Sequence, residues 1–215
     1  MKIILLYGPP SSGKGTHARL LHEFTGFPII EPAVLFRQIA TNPNHKWYSY
    51  IGEKINNGYP APSDAYIKLV QAAIEPLLHS NTSFIMDKPG GSLLVETEWF
   101  LEYIKPFNAQ VFLCILDIPL EESLRRIESR YFITSSGESY ITYQEALSHC
   151  KNGELPTKRI DDLDSQKAKR RYKLLYEDQK EEVMVLFKKA GATITVLNGM
   201  LPVLTVNGEL RKLLS

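Results

Sequence analysis

The chain has 215 residues, 44% hydrophobic and 23% charged, with 25 Lys and Arg against 24 Asp and Glu for a formal net charge of +1. That length allows one substantial core and a small insert. The balanced charge argues against a protein that lives on nucleic acid, which would carry a basic excess or stripe. No apolar run reaches the ~20 residues needed to cross a bilayer, and Cys114 and Cys150 have neither a metal-ligand spacing nor a disulfide pattern.

"KIILLY" (2–7) is apolar on both faces, as expected of a buried parallel strand. Only one lysine and about five apolar residues precede the first glycine, too few for a secretory signal, so a cytoplasmic protein is expected. "GPPSSGKGT" (8–16) then fits G-x-x-x-x-G-K between a strand and a helix. Gly8 and Gly13 permit backbone shapes in which successive N–H groups point inward at phosphates. The helix N-terminus adds its partial positive charge, and Lys14 can reach the outer phosphates.

Residues 14–25 read as a helix stopped by Gly26, followed by helical patterns over 32–40, 46–57 and 63–79. "SFIMD" (83–87) and "AQVFLCILDI" (109–118) read as buried strands around a helix at 92–104, and a further helix follows at 119–130. A polar, tyrosine-rich stretch then interrupts the pattern between Arg130 and Arg159 and reads as a small inserted subdomain, with a long loop as the alternative. A long helical pattern over 162–189 and the strand "ATITVLN" (192–198) complete the alternation. Such alternation predicts an α/β fold, a parallel sheet with helices on both faces.

One detail of the phosphate loop narrows its kind. Gly15 follows the lysine and the hydroxyl comes one residue later, at Thr16. In this form "GPPSSGKGTHARLL" resembles the adenylate kinases and the wider nucleoside monophosphate kinase family, with Ser11 where the family usually has glycine. The resemblance implies a P-loop three-layer α/β/α fold with a central parallel sheet, a helical acceptor-binding insert and a lid. Its core would be 1–30, 82–130 and 159–215, its acceptor region 31–81 and its lid 131–158.

On the donor side the resemblance implies that Ser11, Ser12, Gly13, Lys14, Gly15 and Thr16 hold ATP phosphates. "LEESLRRIESR" (120–130) is similar to the family's R-I-x-x-R helix, placing Arg126 against the adenine of ATP and Arg130 on its phosphates. "NGMLP" (198–202) is similar to the D-G-x-x-P loop over the adenine, which brings in Leu201. "KRIDDLDSQKAKRR" (158–171) resembles the R-x-D-D segment. It makes Arg159 and Arg170 partners of Lys14 and Arg130 around the transferred group, with Asp161 and Asp162 anchoring the lid. Asp87, at the carboxyl end of its strand, stands where an acid holds Mg²⁺ through water. With only Cys150 in the lid, no zinc site of the four-ligand kind is expected.

The acceptor side departs from the family. Its T-G-D-x-L-R stretch is here "EPAVLFR", which keeps Arg37, and its D-G-F-P-R-T stretch is "DKPGGS". Gly91 stands in place of an arginine, Val95 stands near the usual base-reading glutamine, and Lys88 offers a substitute positive charge. "GYPAPSD" (58–64) resembles the loop flanking the acceptor base and contributes Ala61. The expectation is a monomeric kinase of nucleotides, moving a phosphoryl group from Mg·ATP to AMP, without nucleic-acid or membrane partners. The alternatives are a different phosphorylated acceptor or a non-catalytic nucleotide binder. A switch reading, prompted by D-x-x-G at 87–90, lacks an N-K-x-D to read guanine.

Overall fold

The computed structural model describes residues 1–87 and 93–214, the side chains of Leu35 and Asp161 excepted. In chain order the first elements are β1 (Lys2–Tyr7), α1 (Lys14–Thr25), β2 (Ile29–Ile30), α2 (Pro32–Ala40), α3 (Glu53–Asn56), α4 (Ser63–His79) and β3 (Phe84–Asp87). Then come α5 (Leu94–Ile104), β4 (Gln110–Asp117), α6 (Leu120–Ser129), β5 (Tyr131–Phe132), β6 (Ser139–Tyr140) and α7 (Tyr143–His149). The chain closes with α8 (Ser165–Tyr172), α9 (Lys180–Lys189), β7 (Thr193–Asn198) and α10 (Val203–Lys212).

Among the described residues five strands form a parallel sheet in the order β2-β3-β1-β4-β7. β1 lies at its centre, with Ile3–Leu6 in register with Phe84–Asp87 on one side and Lys2–Tyr7 with Gln110–Ile115 on the other. The two-sided apolar run has a direct cause. Ile3, Leu5 and Tyr7 share a core with Phe84, Met86, Leu113, Phe100 and Phe187. Their neighbours Ile4 and Leu6 point the other way, into a core with Ile85, Cys114, Leu116, Leu21 and Leu210. Successive side chains of a strand alternate between faces, so helices on both faces demand hydrophobic residues at every position. The sheet is therefore the middle of three layers.

Several helical expectations are refined. The 46–57 pattern resolves into a π-turn at Tyr48–Gly52 followed by the short α3. The 162–189 pattern is broken into α8, a π-segment at Lys173–Glu177 and α9. The helix expected from residue 92 begins, among the described residues, at Leu94. Sequence periodicity did not single out β2, α7 or α10. The 131–158 stretch carries the antiparallel pair β5–β6, α7 and a small apolar cluster of its own around Ile133, Tyr140 and Ala146. Among the described residues no helix is long and apolar enough to cross a membrane.

Candidate active site

The carboxyl ends of β1 and β3 open into a cavity of about 440 Å³. Ligands in open parallel sheets bind at this edge. The loop after β1 is shaped by its backbone. Gly8 has φ 150°, and a Cβ there would lie 2.4 Å from the carbonyl oxygen of Leu116 on β4, so only glycine lets the two strands' ends approach. Gly13 and Ser11 both take the left-handed conformation, with φ 97° and 59°. At Ser11 an L-residue accepts a shape that glycine adopts more cheaply.

Gly13 is also the N-cap of α1 and has no side chain with which to cap it. The first N–H groups of α1, which have no carbonyl partners within the helix, are thereby left for a ligand, and the helix dipole favours an anion there. Lys14 curls back over the loop, its Nζ donating to the carbonyls of Gly8 at 3.0 Å and Pro9 at 2.8 Å. It is 8% exposed. Burial lowers its pKa, and the Asp87 carboxylate works against that shift by favouring the charged form.

A cationic cluster stands over the loop, arranged around Asp162. Arg130 forks onto this carboxylate through Nε and one Nη, both at 2.7 Å, and Arg171 joins it at 2.6 Å. The Asp162 side chain is only 3% exposed. Burial pushes its pKa up, but the guanidinium groups of Arg130, Arg159 and Arg171 outweigh burial and hold it below the carboxylate range. Arg130 also donates to Ser11 Oγ at 3.1 Å, joining the cluster to the loop. Arg126 donates to the carbonyl of Gly199 at 2.9 Å and to Glu122 at 2.6 Å, lining the end of the cavity where Leu201 also stands.

The opposite end of the cavity is walled by α2, α4 and the start of α5 and is lined by Phe36, Ile55, Tyr59, Ala61, Tyr66 and Glu96. Arg37, at its mouth, donates Nε to the carbonyl of Gly137 on the 131–158 segment at 2.6 Å. Burial and the nearby Arg159 bring its pKa down to about 9, which leaves it charged at neutral pH. Gln38 reaches the same segment, donating to the carbonyl of Ser135 at 3.2 Å.

The cavity thus gathers Ser11, Ser12, Gly13, Lys14, Gly15, Thr16, Arg37, Ala61, Asp87, Arg126, Arg130, Arg159 and Leu201 from the residues singled out by sequence. Arg170 is not among them. It points away, donating to the carbonyl of Asn57 at 2.7 Å and stacking over Tyr59 at 4.6 Å. Arg171 lines the cavity in its place. Lys88 and Gly91 lie outside the described residues, as does the side chain of Asp161. Sequence reasoning also passed over His17, Glu31, Tyr66 and Glu96, all of which line the cavity.

The central parallel sheet, its flanking helices and this loop make a P-loop α/β/α fold of the kind kinases use. No family model matches the chain. It is 24% identical to the adenylate kinase of Thermotoga petrophila over 97% of this chain and 98% of that one. It is 26% identical to that of Thermotoga maritima over the same shares. Against the adenylate kinase of Clostridium botulinum identity rises to 33% over 65% of this chain and 63% of the relative. A likeness running nearly end to end at about a quarter identity fits a divergent member of the adenylate kinase family, a phosphotransferase with a phosphate group as its acceptor.

Proposed function

We propose that the protein is a nucleoside monophosphate kinase that reversibly moves the γ-phosphoryl of ATP to AMP. The observation that carries this reading is a single cavity with a phosphate loop at its centre, a guanidinium-lined end beside Leu201, and a second, apolar end beyond Arg37. One ligand would need only the first half. Two ligands meeting at Lys14 would need both.

In this reading ATP lies with its base against Arg126 and Leu201 and its phosphates on the loop amides and Thr16. Lys14 releases the carbonyls of Gly8 and Pro9 and follows the charge of the group in transit. Arg130, Arg159 and Arg171 surround that group, and Asp162 fixes the directions of two of these guanidinium groups. Arg37 takes the acceptor's phosphate. The residues do their work by positioning and charge neutralisation, with no covalent intermediate on the protein. The 131–158 segment acts as a lid that excludes water.

The site suits a divalent cation. Asp87 Oδ1 is buried in the cavity wall without a hydrogen-bond partner, a hard oxygen of the kind Mg²⁺ takes through its water shell. When bound with ATP, Mg²⁺ would neutralise charge on the donor's phosphates, and Asp87 would be the residue that holds it.

Lys14→Ala tests the reading. Loss of one preorganised charge at a transition state typically costs about 10²- to 10³-fold in kcat, and a loss of that order is expected in coupled ADP-formation assays. Unchanged turnover would remove Lys14 from the reaction.

A further inference from the structure

Glu31 brings to the cavity a charge that the proposed transfer does not use. It is the N-cap of α2, with Pro32 next in the chain, yet its side chain makes no capping hydrogen bond to the helix. The carboxylate lies instead against the phosphate loop. A Cβ on Gly15, the residue after Lys14, would be 3.6 Å from Glu31 Oε1. Asp87, Arg37, Arg19 and Glu138 act on the carboxylate only through space, and among the described residues nothing hydrogen-bonds to it. Burial first, and then the Asp87 carboxylate, raise its pKa. That shift moves it toward the range in which a carboxylate takes up a proton near neutral pH.

An unpaired carboxylate beside a phosphate loop suits one kind of acceptor and opposes another. Against a phosphate monoester it sets like charge against like charge, where partial burial weakens screening by salt. To a hydroxyl it offers an acceptor for the proton. A phosphate oxygen attacks already ionised, whereas an alcohol sheds a proton as it attacks, so only the alcohol calls for a base. Resting on the donor half of the kinase reading, we infer that the same cavity also phosphorylates the primary hydroxyl of a nucleoside, with Glu31 as general base. The hydroxyl oxygen bonds to the γ-phosphorus of ATP as the bond from that phosphorus to the β–γ bridging oxygen breaks. ADP leaves with the electron pair, and Glu31 takes the hydroxyl proton. The walls beyond, at Phe36, Ile55, Ala61 and Tyr66, are largely apolar and suit an alcohol carried on a ring system better than an open polyol. A nucleoside is shorter than its monophosphate by one phosphate group. Its hydroxyl must therefore come that much nearer the loop, where Glu31 stands.

The experiment gives the full chain Mg·ATP with isotopically labelled adenosine, guanosine, cytidine or uridine and follows the label into nucleotides by mass spectrometry. A parallel arm follows labelled AMP. The wild type should convert at least one nucleoside to its 5′-monophosphate. Glu31→Gln should lower the kcat of that conversion at least ~100-fold, the usual worth of a positioned base, while AMP phosphorylation holds or rises because a repelling charge is gone. Glu31→Asp, which keeps the charge but withdraws it, should also lose nucleoside turnover and is the fallback should Glu31→Gln not fold. A wild type that phosphorylates none of the four nucleosides overturns the inference. So does a nucleoside rate that Glu31→Gln leaves alone, or one that falls no further than the AMP rate, which would make Glu31 merely structural. The two arms separate the readings. Nucleosides converted while AMP is not accepted as a substrate would sink the proposed AMP transfer alone, and AMP converted with nucleosides untouched would sink this inference alone.

Discussion

His17 sits one turn into α1, 4% exposed, with Nδ1 buried and unpartnered. Burial pushes its pKa down to about 4 from an ordinary value of 6.5. The unfolded chain therefore takes up this proton first as pH falls. Stability is full above about pH 6.5 and is lost between there and pH 4, by up to ~1.4 kcal/mol per pH unit. The Tm of the wild type is expected to drop more steeply from pH 7 to pH 5 than that of His17→Gln, and parallel curves would contradict this. At the same scale, helical spacing could have told Arg171 from Arg170. Ala168, Arg171 and Tyr172 are the buried residues of α8, an i, i+3, i+4 set. Arg171 shares the stripe of apolar neighbours and Arg170 does not, a distinction that periodicity draws and motif matching does not.

Two elements depend on single residues for their placement. The turn between β5 and β6 rests on α2 through Gly137, which has φ 75° and where a Cβ would lie 2.9 Å from the carbonyl oxygen of Val34. Gly137→Ala should push the 131–158 segment off α2 and break the bond from Arg37. Spin labels on Cys150 and on a Lys46→Cys substitution, with Cys114 buried, would report a longer and broader distance distribution than in the parent, and an unchanged one would contradict the contact. Asp162 joins the end of α6 to α8 through Arg130 and Arg171. Removing one member of a buried ion pair leaves uncompensated charge, which costs about 3–5 kcal/mol. Asp162→Ala should lower the urea midpoint accordingly, and a midpoint within error of the wild type would show the cluster to be energetically idle. The breaks that divide 162–189 were not legible, because the pattern of Ala168, Tyr172, Tyr176, Val183 and Phe187 stays apolar on one side across the π-segment. Hydrophobic spacing records which face is buried and is insensitive to one extra residue per turn.

Across the whole molecule, the sheet and the phosphate loop were legible because they depend on local rules, unbroken apolar runs for buried strands and a glycine–lysine spacing for the loop. The apolar end of the cavity was not, because it is assembled from α2, α4 and α5, far apart in sequence, and its polar groups match no familiar pattern. Glu96 reads in sequence as an ordinary residue of a helix's first turn, yet it is buried and lines the cavity. The proposed transfer joins the two ends of one cavity in a single reaction, so the most direct measurement follows both nucleotides at once. Phosphorus NMR of the protein with Mg·ATP and AMP should show both substrates falling in equal amounts as ADP grows to twice either loss. Loss of ATP to inorganic phosphate with AMP untouched would contradict the account, as would no change in either nucleotide.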